Sequence, residues 1–146
     1  MQDINQVIKG YGPHDKHSED KNNCTVNALS AAFEVPYDEA YEFAKQEWDR
    51  IHGKGVPTKP ITESFQDTIF GRFSVEVQAR TGYKQPDGST IVRNMTLRSF
   101  LKAFPTGSYF VLVRGHALVV KDGVLVDNSK KLGRIVLRAW KIEPAQ

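Results

Sequence analysis

The stretch GHALVVKDGVLVD, residues 115–127, consists of two short apolar, β-branched runs separated by Asp122-Gly123. A two-residue type I′ hairpin requires positive φ at both central residues, which Asp-Gly tolerates better than almost any other pair. The dipeptide therefore predicts a hairpin and fixes its register. Lys121 stands opposite Val124, Val120 opposite Leu125, Leu118 opposite Asp127 and His116 opposite Ser129. Side chains alternate along a strand, so His116 and Asp127 fall on one face as diagonal neighbours. Asn128 falls on the other face if the ladder reaches that far.

The hairpin is the centre of a β-rich C-terminal third. SYFVLVR (108–114) precedes it and RIVLRAWKI (134–142) follows. Both are short, β-branched or aromatic, and bounded by turn signals, which predicts an antiparallel sheet. Just upstream, Thr96 is placed to cap a helix carrying Leu97, Phe100, Leu101 and Phe104, and FPTG (104–107) stops it. The segment 82–89, GYKQPDGS, reads as a loop, and Phe73, Val75, Val77 and Ala79 alternate as in a strand. Ile61, Phe65 and Ile69 suggest a short helix, preceded by a loop over GKGVPTKP (53–60), whose glycines and prolines suit neither helix nor ladder.

The N-terminal half is helical in pattern. Val26, Leu29, Ala32 and Phe33 recur at helical spacing from Cys24 onward, with Asn22 or Asn23 available as N-cap. A second helix follows: Pro36 suits its first turn, Asp38 and Glu39 favour the positive end of the dipole, and Tyr37, Ala40, Tyr41, Ala44, Trp48 and Ile51 form one stripe. Gly53 is expected to end it. Trp48 and Trp140 lie in periodic segments and are expected in the core, with the cleft wall a second place for Trp140. Residues 1–22 are polar and read as an irregular arm.

Composition sets wider bounds. The 146 residues are 40% hydrophobic and 25% charged, ordinary for one folded domain, so 1–146 reads as a single unit. A lone cysteine closes no internal disulfide, and neither a signal-peptide core nor a run of eighteen apolar residues occurs; a cytoplasmic protein without membrane spans is expected. Twenty basic residues against seventeen acidic give a net +3, a mild excess. Lys130, Lys131, Arg134, Arg138 and Lys141 make the case for nucleic acid, but no stacking aromatics accompany them in a recognisable motif, so specific nucleic-acid binding is not expected. His14 and His17 with Asp15, Glu19 and Asp20 form too weak a pattern for a metal site. No metal or cofactor is expected.

The single thiol stands where the first helix begins. Unpaired backbone N–H groups and the positive end of the macrodipole favour a thiolate there. His116, on a strand with Asp127 on the same face, is the best-placed base. Cys24, His116 and Asp127 together fit nucleophile, base and orienter, with Asn128 the alternative orienter.

The order Cys, His, Asp, helical half before sheet half, is that of a papain-like domain. NNCTVNALSAAFEVPYDEAYEFA (22–44), TLRSFLKAFPTGSYFVLVRGHALVVKDGVLVDN (96–128) and RIVLRAWKI resemble the small papain-like cysteine peptidase-like proteins of bacteriophages and bacteria. The resemblance implies an α+β papain-like fold, with Cys24 heading a helix packed on a C-terminal antiparallel sheet. It implies a thiol hydrolase cleaving a peptide or isopeptide bond in a protein or peptide substrate, in the host cytoplasm or the virion. One departure concerns the Gln that such peptidases carry about six residues before the cysteine. Here residues 18–23 read Ser-Glu-Asp-Lys-Asn-Asn. The Cys24 N–H can supply one oxyanion donor, and Asn22, Asn23 and His17 are the candidates for another. The same departure supports the alternative implication, an inactive papain-like binding module serving as a phage-encoded inhibitor or virion component.

Overall fold

The computed structural model describes residues 24–51, 54–56, 61–62, 65, 68–126 and 132–143. Helix α1 spans Cys24–Phe33 and begins on the cysteine. Thr25, Val26 and every residue from Ala28 to Phe33 are buried. Such all-round burial suits a helix rich in small side chains, here Ala28, Ser30, Ala31 and Ala32, which lets neighbouring elements approach on several sides. It ends as Glu34 turns left-handed (φ 55°), with the Ser30 hydroxyl donating to the Val35 carbonyl at 2.6 Å. Helix α2, Tyr37–Trp48, buries the stripe Tyr37, Ala40, Tyr41, Ala44 and Trp48. It stops earlier than the sequence suggests. Asp49 takes the left-handed conformation (φ 53°), its N–H and that of Arg50 bond the Ala44 carbonyl, and Ile51 lies outside the helix, 68% exposed.

The remaining described elements are β1 (Thr68–Ile69), β2 (Arg72–Val77), β3 (Arg80–Lys84), β4 (Thr90–Asn94), helix α3 (Leu97–Ala103), β5 (Ser108–Val113), β6 (His116–Lys121), β7 (Val124–Val126) and β8 (Val136–Ile142). Six strands form one antiparallel sheet in the order β1-β2-β8-β5-β6-β7, and β3 with β4 makes a separate ribbon. The fold is thus α+β with an antiparallel sheet. Asp122 (φ 49°) and Gly123 (φ 76°) are both left-handed, and β6 meets β7 with Lys121 opposite Val124 and Val120 opposite Leu125. This is the register that the Asp-Gly turn dictates. Thr96 caps α3 by accepting the Ser99 N–H at 3.2 Å.

At β5 and β6 both faces of the sheet are covered, which is why these strands read as nearly continuous apolar runs. On one face Phe110, Leu112, Ala117, Val119, Trp140 and Ile142 join the core of α1 and α2. On the other, Tyr109, Val111, Val113, Leu118, Val120, Leu125, Val136 and Ala139 pack with Leu97 and Phe100 of α3. Helix α1 runs alongside β6: it begins at His116 and Ala117, and Glu34, just past its end, pairs with Lys121. Ten residues of helix cover about 15 Å, a little less than a six-residue strand. Trp140 is buried and stacked on Phe65, with ring centroids 4.2 Å apart.

Three stretches differ from expectation. Ile61 and Thr62 are helical, but Thr68–Ile69 is strand, hairpinned to β2 through Phe70 (φ 51°) and Gly71 (φ 74°). A bulky residue at positive φ is costly; the Phe70 ring sits against Phe33 and Phe43 at 5.8 and 5.3 Å, so packing overrides local preference. Strand β2 stops at Val77, and Phe73 and Val75 are 55% and 57% exposed. Of the stretch 82–89 read as a loop, Gln85–Ser89 is the turn expected, while Gly82–Lys84 belongs to β3 of the ribbon β3–β4. Arg134 precedes β8 rather than lying in it, and Arg138 is held by Glu76, so no continuous basic stripe forms along this strand.

Candidate functional site

Cys24 occupies the first turn of α1 and is half-buried, with its side chain against the helical core. The first amides of a helix have no partner within it, so the sulfur sits where backbone N–H dipoles converge. His116 is the first residue of β6 and follows a two-residue turn at Arg114 and Gly115. Gly115 adopts φ 70°, a conformation glycine accepts without strain. Alternation along β6 puts His116 in the row of Leu118 and Val120, on the α3 face. It is the closing residue of the β5–β6 hairpin, opposite Val113, so its ring meets α1 at the end of the sheet rather than across it.

There His116 and Cys24 are joined by a side-chain hydrogen bond. Two further donors reach the sulfur: the backbone N–H of Ala117 and the hydroxyl of Thr25. Thr25 is itself buried. Burial pushes the Cys24 thiol up, but the His116 hydrogen bond, the Ala117 amide, the positive charge on His116 and the Thr25 hydroxyl together outweigh it, and the thiol lies below its ordinary value. A sulfur with three donors and an imidazolium beside it favours the thiolate, the form that attacks an electrophilic carbon.

The structure therefore brings together Cys24 and His116, two side chains ninety-two residues apart in sequence. Asp127 and Asn128, the two candidate orienters, lie outside the described residues, as do Asn22, Asn23 and His17, the oxyanion candidates, and His14. The described β6–β7 ladder ends at Val119 opposite Val126. Thr25 and Ala117 were not evident from the sequence. A hydroxyl residue directly after the cysteine is a faint signal for the first. A backbone amide leaves no signal at all for the second.

Comparison of the chain with protein-family models, with curated proteins and with solved structures finds no match.

Proposed function

We propose that the protein is a thiol hydrolase of the papain-like class that cleaves a peptide or isopeptide bond. The observation that carries this reading is the hydrogen bond between Cys24 and His116 at the head of a helix packed on an antiparallel sheet. The Cys24 thiolate attacks the carbonyl carbon of the scissile bond, and the negative charge passes to the carbonyl oxygen. The backbone N–H of Cys24, at the start of α1, is the candidate donor for that oxygen. Collapse of the tetrahedral intermediate expels the amine, which takes its proton from the His116 imidazolium, and leaves a thioester on Cys24. Water then attacks the thioester, His116 accepts its proton, and the acid product leaves with the thiolate restored. In this reading Asp127 orients the imidazole and fixes its tautomer.

Reaction of the purified protein with an electrophilic probe for cysteine peptidases, set beside the Cys24→Ala variant, tests the proposal. Labelling that requires Cys24 and is lost in His116→Ala supports the hydrolase. The lack of Gln in residues 18–23 favours the second reading, a binding module that retains the site without turnover. A Cys24 that alkylates readily but never forms a thioester with peptide substrates would select it.

A further inference from the structure

We propose that the Arg114-Gly115 turn, backed by a bulge in β8, aims the His116 imidazole at Cys24, with Gly115 as the positioning residue. The inference rests on the hydrolase reading for why that aim matters, but not for the geometry of the turn.

Strand alternation alone points His116 away from the thiol. Along β6 it falls in the row of Leu118 and Val120, which pack with α3, while Ala117 and Val119 pack with α1 and α2. Cys24 heads α1, on that second side of the sheet. Regular ladder geometry would keep the imidazole on the α3 side, yet it is hydrogen-bonded to the sulfur. A departure from regular pairing is needed to bring the ring round the end of the sheet, and two departures occur there.

The first departure is the turn itself. Among the described residues, three hairpins of the large sheet close through two-residue turns. Phe70-Gly71 and Asp122-Gly123 each hold both central residues at positive φ, the type I′ pattern whose twist matches that of the flanking strands. Arg114-Gly115 differs: Arg114 does not take a positive φ, and Gly115 does, at 70°. A positive φ at the second central residue alone is the signature of a type II turn, which splays the strands it joins. The second departure lies directly behind the first. Strand β5 pairs Leu112 with Arg138 but Val113 with Val136, which leaves Leu137 as an extra residue in β8. Such a bulge bends its strand, adds twist and re-aims side chains beside it. Both irregularities meet at Val113, the cross-strand partner of His116.

Neither packing nor fraying accounts for them. Leu137 is 39% exposed, so the bulge does not serve to bury it. Past the bulge the chain is still held, with the Val136 N–H donating to the Met95 carbonyl at 2.8 Å and Ile135 bridged to Thr96. At Gly115 a Cβ would meet nothing within 4 Å. No neighbour therefore demands a glycine there; the left-handed backbone does. A side chain at this position strains the turn without a clash, which separates the conformation of the turn from crowding of the site.

The test is alkylation of Cys24 by iodoacetamide as a function of pH in the folded full chain, for Gly115→Asn, Gly115→Ala and Gly115→Val, with His116→Ala and Gly88→Ala beside them. Gly88 also has a positive φ (88°) and open space where a Cβ would stand, but it lies in the turn of the ribbon, away from the site. Asn accepts a left-handed backbone best, Ala less well and β-branched Val least. At pH 6 Gly115→Asn should react within about twofold of the parent, Gly115→Ala about 3- to 10-fold more slowly, and Gly115→Val close to His116→Ala, the limit for a thiol without its imidazolium. The pH profiles should move toward that of an ordinary thiol in the same order. Gly88→Ala should lose as much thermal stability as Gly115→Ala and keep the parent profile. Gly115→Ala and Gly115→Val that are destabilised but alkylate like the parent would overturn the proposal, because the turn would then hold the fold without aiming the ring. Equal slowing in Gly115→Asn and Gly115→Ala, or slowing in Gly88→Ala, would also overturn it. Should Gly115→Val not fold, the comparison of Gly115→Ala with Gly115→Asn decides. If His116→Ala slows alkylation and the Gly115 variants do not, the inference fails while the hydrolase reading stands; if His116→Ala changes nothing, both fail.

Discussion

Replacing Gly123 by alanine isolates the hairpin that organises the sheet. Gly123 lies at φ +76°, where an L-residue costs about 1–2 kcal/mol. A Cβ there would sit 3.3 Å from the Pro105 carbonyl oxygen and 3.6 Å from its Cα, and both are backbone, so they give way only if the loop after α3 shifts. Adding about half a kilocalorie for that shift, Gly123→Ala should cost about 1.5–2.5 kcal/mol. For a chain of this length, that lowers the melting temperature by about 3–10 °C. Gly133 is the control: a Cβ there meets nothing within 4 Å and its φ is ordinary, so Gly133→Ala should be neutral or stabilise slightly by restricting the unfolded chain. Urea unfolding at pH 7 with the linear extrapolation measures both. The turn is at the opposite end of β6 from His116, so Cys24 alkylation in folded Gly123→Ala should match the parent. A cost below about 0.5 kcal/mol, or one equal to that of Gly133→Ala, would refute the assigned turn geometry.

Other substitutions probe separate parts of the structure. Thr96→Ala removes the oxygen that accepts the Ser99 N–H and should cost about 1 kcal/mol in urea unfolding. Glu34→Gln severs contacts to Arg72 at 3.0 Å and Lys121 at 3.6 Å, but the Glu34 side chain is 42% exposed, so solvent screening holds the loss to about 1 kcal/mol or less. Burial raises the Glu34 carboxyl, but the Arg72 hydrogen bond and the Lys121 charge lower it further. Its contribution is therefore complete above the unfolded carboxyl value of about 4.3 and is lost as pH falls through the lower folded value. The gap between parent and Glu34→Gln should close on acidification, which urea titrations at pH 7 and pH 3 would show. Thr25→Val keeps the shape of the buried side chain and removes one donor to sulfur; alkylation at pH 6 should slow by about 3- to 10-fold, with Thr25→Ser close to the parent.

The sequence was most legible where local chemistry and tertiary packing agree. Asp122-Gly123 fixed the hairpin register because few other dipeptides accept that turn, and the apolar spacing from Cys24 to Phe33 marked α1 because the helix is buried almost throughout. The turn at Phe70-Gly71 was illegible, since a phenylalanine at positive φ is held only by the aromatic cluster around it. Ile51 looked like part of the α2 stripe because periodicity cannot show that Asp49 breaks the helix first. The ribbon β3–β4 was missed for the opposite reason: most of its residues are exposed, so no buried face imprinted alternation on the sequence. Phe73 and Val75 alternate, yet point away from any core, which pattern alone does not reveal. For the site, hairpin and helix start were enough to single out Cys24 and His116. Their meeting at the end of the sheet, and the donors from Thr25 and Ala117, depend on how α1 lies along β6.

The rate of Cys24 alkylation by iodoacetamide as a function of pH tests the central claim, that His116 holds this sulfur as a thiolate. The urea-unfolded chain supplies the rate of an ordinary thiol. At pH 6 a thiol titrating at about 8.5 is only about 0.3% thiolate, so a site already ionised has up to about 300-fold more of the reactive form. The weaker nucleophilicity of a low-pKa thiolate takes back part of that gain. The folded protein should therefore react at least about tenfold faster than the unfolded chain at pH 6, and His116→Ala should remove most of the difference. A folded protein that reacts only as pH approaches 8.5, with a profile unchanged by His116→Ala, would contradict the account.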